Sequence, residues 1–221
     1  MKKEIIIKDN KRVLHPTKII CLGKNYKNHI KEMESKTPEN PVLFLKPTSS
    51  IIYNNETIKI PKESTNPHYE VEFVIAIGKK AKNIPSYKVS EYIAGYGLGL
   101  DITLRDYQTE AKNSKNPWGI CKGFDNSAPV SDFYSSSIIK NPQNQTIKLY
   151  KNENIVQKDN TKNMIFNIEE TLEYITKFFT LYPGDLIFTG TPSGVGSLEN
   201  NDKLRAELGD LITLENKVKI L

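Results

Sequence analysis

The chain is poor in the residues that build cross-linked or nucleic-acid-reading scaffolds. Its 221 residues include 2 cysteines, Cys21 and Cys121, far apart and in no CxxC pattern. That excludes a zinc ribbon and a dithiol redox motif, and two buried free thiols in a reducing compartment are expected. Arginine is scarce, confined to Arg12, Arg105 and Arg205. The net charge of +5 therefore rests on lysines scattered among acids. Such a spread argues against a base-reading surface, so no nucleic-acid partner is expected. No apolar run approaches the roughly 18 residues needed to span a bilayer, so no membrane partner is expected either. There is no GxGxxG or GxxxxGK[ST] sequence, no repeat and no low-complexity linker. The N-terminus, MKKEIIIKDN, begins like a secretory leader, but charge returns after three isoleucines. No signal or transit peptide is read there, and a cytoplasmic location is expected.

What is present is enough for a substantial core. Hydrophobic residues make up 38% and aromatics 9% of the chain, too many for disorder. Nothing marks a boundary, so residues 1–221 are read as one domain. Strand signals dominate, at EIIIKD, KIICLG, VLFLKP, SIIYN and above all YEVEFVIAIG from Tyr69. YIAGYGLGLDIT from Tyr92 is glycine-studded and extended. TIKLYKNENIVQKD from Thr146 reads as a hairpin turning at Asn152 to Asn154. DLIFTGTP from Asp185 is a strand, and DLITLENKVKIL from Asp210 reads as a closing extended pair. Helices are fewer: Tyr26 to Met33, a stretch from Thr103, and IEETLEYITKFF with Asn167 as N-cap and Glu170 at the capping-box position. The sum is an α+β fold, mostly β, with a few short helices.

Several segments hold chemistry. In a strand, alternation places Glu70 and Glu72 on one face with Val74 and Ala76, while Val71, Phe73, Ile75 and Ile77 take the other. If the carboxylate face is solvated, this is a charged strand and nothing more. If it is enclosed, two like charges require a counter-charge. Oxygen-only ligands would then select Mg²⁺, Mn²⁺ or Ca²⁺ over Zn²⁺. Asp101 follows three alternating glycines and is either a third carboxylate ligand or a helix N-cap. Asp106 is expected to pair with Arg105 or a nearby lysine. Lys122, between Cys121 and Gly123, is either a solvated lysine or a desolvated one with a lowered pKa suited to proton transfer. In GDLIFTGTPSGVG from Gly184, backbone N–H groups and Thr191 can hold a carboxylate or phosphate. His29 and Glu32, three apart, face each other on a helical turn, as a surface pair or as a general base with its orienting carboxylate.

Taken together these segments resemble the fumarylacetoacetate hydrolase family. The order is GxNYxxHxxE from Gly23, PxxFxKP from Pro41 to Pro47, YExEhxxxIG from Tyr69, GYxxxxDxTxRDxQ from Gly95, KxxDxxxP from Lys122 to Pro129, and GDxIxTGTPxGVG from Gly184. The likeness runs from Leu22 to Ser197 and is nearest the short, single-domain branch with acylpyruvase and oxaloacetate-directed activities, which lacks the extra N-terminal domain of the full-length hydrolase. It implies a β-rich roll and a homodimer. It implies that Glu70, Glu72 and Asp101 bind Mg²⁺ or Mn²⁺ and that Lys122 is the active-site lysine. It also implies that Arg105, Gln108 and Thr191 contact substrate. His29 and Glu32 become a catalytic dyad on a mobile segment that closes over it. One departure is the tail after Asp210, shorter than the family's usual ending, which leaves the pairing of the last strand open.

The implied activity is a divalent-metal-dependent reaction on small 2-oxoacids through a metal-bound enolate. C–C bond hydrolysis of acylpyruvates and decarboxylation of oxaloacetate are the leading forms. The alternative is an isomerase, either an oxaloacetate keto–enol tautomerase or a decarboxylase/isomerase of aromatic degradation.

Overall fold

The structure, a computed structural model, describes residues 3–221. The first part of the chain forms β1 (Ile5–Ile7), β2 (Arg12–Leu14), β3 (Ile19–Gly23), α1 (Lys27–Glu32), β4 (Val42–Lys46), β5 (Ile51–Tyr53) and β6 (Thr57–Ile60). The middle forms β7 (Pro67–Tyr69), β8 (Val71–Ile77), β9 (Ile93–Leu100), β10 (Thr103–Leu104), α2 (Arg105–Asn113), α3 (Gly119–Gly123) and β11 (Ala128–Val130). The last part forms β12 (Thr146–Lys151), β13 (Asn154–Asn160), α4 (Ile168–Phe178), β14 (Leu186–Phe188), β15 (Gly196–Ser197), β16 (Lys203–Leu208) and β17 (Ile212–Ile220).

Most of these strands belong to two large sheets. One has seven strands in the order β4-β3-β14-β8-β9-β11-β5, the other five in the order β13-β12-β16-β17-β6. Val71, Phe73, Ile75 and Ile77 of β8 share one core with Ile147, Leu149, Leu204, Ala206, Leu214 and Val218 of the second sheet, and with Leu172 and Ile175 of α4. On the other face of β8, Val74 and Ala76 enter a second core with Ile5, Ile19, Phe44, Val130 and Phe188. Both faces of β8 are thus enclosed, which is why it reads as a near-continuous apolar run. The solvated reading of the Glu70–Glu72 face falls with this.

The glycines of β9 admit protein, not ligand. A Cβ on Gly99 would lie 2.5 Å from the Phe188 ring and 2.8 Å from Val74 Cγ2. The strand is glycine-rich because β14 and β8 crowd Gly99, while Ser131 to Tyr134 crowd Gly95 and Gly97. Helix α4 begins as expected: Asn167 Oδ1 accepts from the Glu170 N–H, and Glu170 Oε2 accepts from the Asn167 N–H.

Three expectations need correction. The tail after Asp210 is one strand, β17, not a pair; it lies antiparallel to β16 and parallel to β6. The sequence reading overlooked β16, which forms a hairpin with β17 and also pairs with the distant β12. Asp101 caps no helix, because α2 starts after Leu104 with no side-chain cap. Asp106 does not pair with Arg105; it accepts from Ser64 Oγ at 2.8 Å and the Thr65 N–H at 2.7 Å, tying α2 to the preceding turn. Both cysteines are free and buried. No helix among the described residues is long and apolar enough to cross a membrane.

Candidate active site

Strand register builds the site. β8 and β9 pair antiparallel with Val71 opposite Leu100 and Glu72 opposite Gly99. One residue beyond, the Asp101 N–H donates to the Glu70 carbonyl at 2.8 Å. Glu70, Glu72 and Asp101 therefore converge, and one carboxylate oxygen from each lies within 4.8 Å of the others. All three are buried, Asp101 completely, at 0% exposure.

Three cations surround them. Lys122 Nζ, on α3, donates to Glu70 Oε2 at 2.9 Å, Asp101 Oδ2 at 2.5 Å and Thr103 Oγ1 at 2.6 Å. Arg105, first residue of α2, donates to Glu70 Oε1 at 2.5 Å and to Gln108 Oε1 at 2.6 Å, one helical turn on. Lys46, in β4, is only 1% exposed. Its ammonium donates to the Ile102, Lys122 and Ser127 carbonyls and to Ser127 Oγ. Lys46 went unassigned in the sequence, although it stands in the PxxFxKP segment; a lysine flanked by Leu45 and Pro47 in a strand was the available signal.

Charge is unevenly compensated. Burial pushes the Glu70 carboxyl up, but Lys122 and Arg105 hold it far below the usual carboxylate range. Glu72 fares differently. Burial, then the charges of Asp101 and Glu70, push it well up. Its one donor is the Gly190 N–H, 2.7 Å from Oε2. Asp101 Oδ1 accepts no hydrogen bond, although Lys46 Nζ lies 2.8 Å away. An all-oxygen set with a repelled carboxylate and an orphaned oxygen fits a hard divalent cation, which these residues can hold. Of the two readings of Lys122, the desolvated one describes its burial, but its pKa is raised and not lowered. Burial pulls it down, but the Asp101 and Glu70 charges more than offset that and raise it. Lys122 stands as a pinned ammonium.

The dyad forms as the helical spacing requires: His29 Nδ1 lies 3.0 Å from Glu32 Oε2. Glu32 Oε1 also accepts from the Gly194 N–H at 2.9 Å, joining α1 to the loop after β14. Two backbone donors of that loop, the Gly190 and Gly194 N–H groups, are therefore engaged by Glu72 and Glu32. Thr191 accepts from Gln157 Nε2 at 2.9 Å. Gln157, in β13, is a second residue that sequence reading passed over, its only mark being a polar side chain at an inward strand position.

A cavity of about 40 Å³ lies at the centre, lined by His29, Glu70, Glu72, Arg105, Gln108, Lys122 and Thr191 among others. Asp101 sits behind Lys122, and Glu32 behind His29. All nine residues singled out in the sequence thus meet in one place.

Fold and site together define a mostly β protein that clusters three buried carboxylates beside a cavity lined by a lysine, an arginine and a histidine. The chain belongs to the fumarylacetoacetate hydrolase family: the family profile described as "Fumarylacetoacetate (FAA) hydrolase C-terminal" matches residues 18–219. An uncharacterized protein of Pyrococcus abyssi is 45% identical over 205 residues, which are 93% of this chain and 91% of that protein. The Arabidopsis thaliana protein named "Oxaloacetate tautomerase FAHD1, mitochondrial" is 41% identical over 209 residues, 93% of this chain and 94% of the other. The crystal structure of fumarylpyruvate hydrolase from Pseudomonas aeruginosa, in complex with Mn²⁺ and pyruvate, superposes with a TM-score of 0.95 at 33% identity, covering 100% of this chain and 97% of that one.

Proposed function

We propose that this chain, acting as one catalytic unit, is a divalent-metal-dependent enzyme that moves a proton at C3 of a small 2-oxoacid. Interconversion of the enol and keto forms of oxaloacetate is the first reading. The observation that carries it is the convergence of the buried carboxylates of Glu70, Glu72 and Asp101 with Lys122 beside one cavity. Relatives named oxaloacetate tautomerase support the substrate.

Charge also supports it. Lys46, Arg105 and Lys122 balance Glu70, Glu72 and Asp101. Lys24 and Lys112 also line the cavity, so a bound divalent ion would leave the site positive, a surplus that suits an anionic 2-oxoacid. Glu70, Glu72 and Asp101 would hold Mg²⁺ or Mn²⁺, which supplies Lewis-acid polarisation of the 2-oxo group. Arg105, oriented by Gln108, and the Thr191 hydroxyl bind and orient the substrate oxygens. The Lys122 ammonium delivers its proton to C3 as the C3–H bond forms. The enol hydroxyl proton returns to the Lys122 amine, so the lysine ends as it began. His29 and Glu32 on α1 flank the cavity, and α1 closes over the bound substrate to exclude solvent.

A second reading is hydrolysis of acylpyruvates, favoured by the His29–Glu32 pair. The Glu32 carboxylate accepts, so Nδ1 carries the proton and Nε2 is free to activate water. Metal-loaded protein is assayed for enol–keto conversion of oxaloacetate and for cleavage of acetylpyruvate. His29→Ala should keep the first within about tenfold and lose at least about a hundredfold of the second. If neither substrate turns over faster than with Glu70→Ala, the proposed activity is wrong. If His29→Ala removes both activities equally, the assignment of His29 to hydrolysis alone is wrong.

A further inference from the structure

Gln157 lies 1% exposed in the middle of β13, a strand remote in sequence from every group with a chemical role. A register irregularity between Leu149 and Tyr150 follows the Leu149–Gln157 pair, with Tyr150 next facing Ile155. Val156 is the unpaired extra residue, and such a bulge re-aims the side chain beside it. The Gln157 carboxamide then meets three groups of fixed character. The Val71 N–H, between Glu70 and Glu72, lies 2.9 Å from Oε1. Thr191 Oγ1 and the Pro192 carbonyl oxygen each lie 2.9 Å from Nε2.

The donor and acceptor roles follow from chemistry alone. A backbone N–H only donates, so the atom facing Val71 is the amide oxygen. A backbone carbonyl only accepts, so the atom facing Pro192 is the amide nitrogen. Both ends fix the same orientation. The two Nε2 hydrogens go to Pro192 and Thr191, and Nε2 has no lone pair to give. Thr191 Oγ1 must therefore accept, and its own hydrogen must point elsewhere. Thr191 is 3% exposed and has no other hydrogen-bond partner among the described residues. What remains beside it is the cavity it lines.

We infer that Gln157 is a positioning residue that makes the Thr191 hydroxyl an obligate donor into the cavity, aimed at a substrate oxygen. This rests on the proposed 2-oxoacid chemistry for what that oxygen belongs to, not for the orientation itself. The same amide ties the Thr191 loop to the strand carrying Glu70 and Glu72, so one residue sets the spacing between the metal-binding carboxylates and the substrate donor.

The test is a double-mutant cycle on metal-loaded enzyme with Gln157→Glu, Thr191→Val and both together. A carboxylate at 157 cannot donate, so it takes the Thr191 hydrogen for itself. Gln157→Glu and Thr191→Val should each raise KM for oxaloacetate about 10- to 100-fold, the worth of one hydrogen bond to a charged group, with smaller changes in kcat. The double variant should lose no more than Thr191→Val alone. Gln157→Met, which leaves the hydroxyl free to rotate, should lose less than Gln157→Glu and serves if the latter fails to fold. Additive losses, or Gln157→Met as damaging as Thr191→Val, would overturn the inference while leaving the proposed activity intact. Should wild-type enzyme turn over no 2-oxoacid, the proposed activity falls. A neutron structure still decides the orientation: a Thr191 hydrogen in the cavity supports the inference, and one directed at Gln157 defeats it.

Discussion

Each carboxylate of the cluster has a different electrostatic neighbourhood, and that difference separates their roles. Glu70 is gripped by Lys122 and Arg105. Asp101 shares Lys122 and Lys46. Among the described residues Glu72 accepts a hydrogen bond from the Gly190 N–H alone and has no ion-pair partner, so it is the residue whose charge is least tolerated without a bound cation. Glu72→Gln should therefore fold at least as well as wild type in the absence of metal. It should also lose most of the thermal stabilisation that Mn²⁺ confers and at least about a hundredfold in activity. Melting curves with and without Mn²⁺ check this. A full Mn²⁺ shift in Glu72→Gln would remove Glu72 from the ligand set.

At the scale of elements, the site depends on loops that strands hold close together. Gly194 has φ +98°, and a Cβ there would lie 2.1 Å from the Val156 carbonyl oxygen. That oxygen belongs to the bulged residue of β13, while the Gly194 N–H serves Glu32 of α1. The loop thus links the bulge to the dyad helix. Gly194→Ala should cost about 1–3 kcal/mol of stability from backbone strain. It should also weaken hydrolysis more than tautomerisation, because displacing this N–H releases Glu32 and with it the orientation of His29. Urea melts and the two assays measure both effects. Unchanged stability would mean that the loop yields more easily than its contacts imply.

The whole molecule couples ligand to stability by mass action. The three carboxylates are buried and clustered only in the folded chain, so a cation bound there would stabilise the native state and find no such cluster in the unfolded chain. Mn²⁺ at about 100 times its dissociation constant should add about 2.7 kcal/mol. Chelation should reverse it, and oxalate, standing in for the enolate of pyruvate, should add a further increment only when Mn²⁺ is present. Oxalate stabilisation without metal would place the anion site elsewhere. β4 and β5 end the seven-stranded sheet, and Leu45 of β4 is 46% exposed. The homodimer that the family likeness implies would sediment at twice 25.2 kDa.

Local patterns carried a large part of this protein. Alternation of side chains placed Glu70 and Glu72 on one face. Helical spacing placed His29 beside Glu32 and Arg105 beside Gln108, and a capping box opened α4. Those relations depend on residues two to four apart, where strand and helix geometry dictate position. Other relations join residues 30 to 120 apart in sequence, and no local period encodes them. The Asp101 N–H reaches Glu70 through the β8–β9 register. Gly190 reaches Glu72, Gln157 reaches Val71, and Lys46 enters the carboxylate cluster. The protonation of Lys122 belongs to the same class. Burial pulls the Lys122 pKa down; the assembled tertiary structure, by setting two carboxylates against its ammonium, raises it.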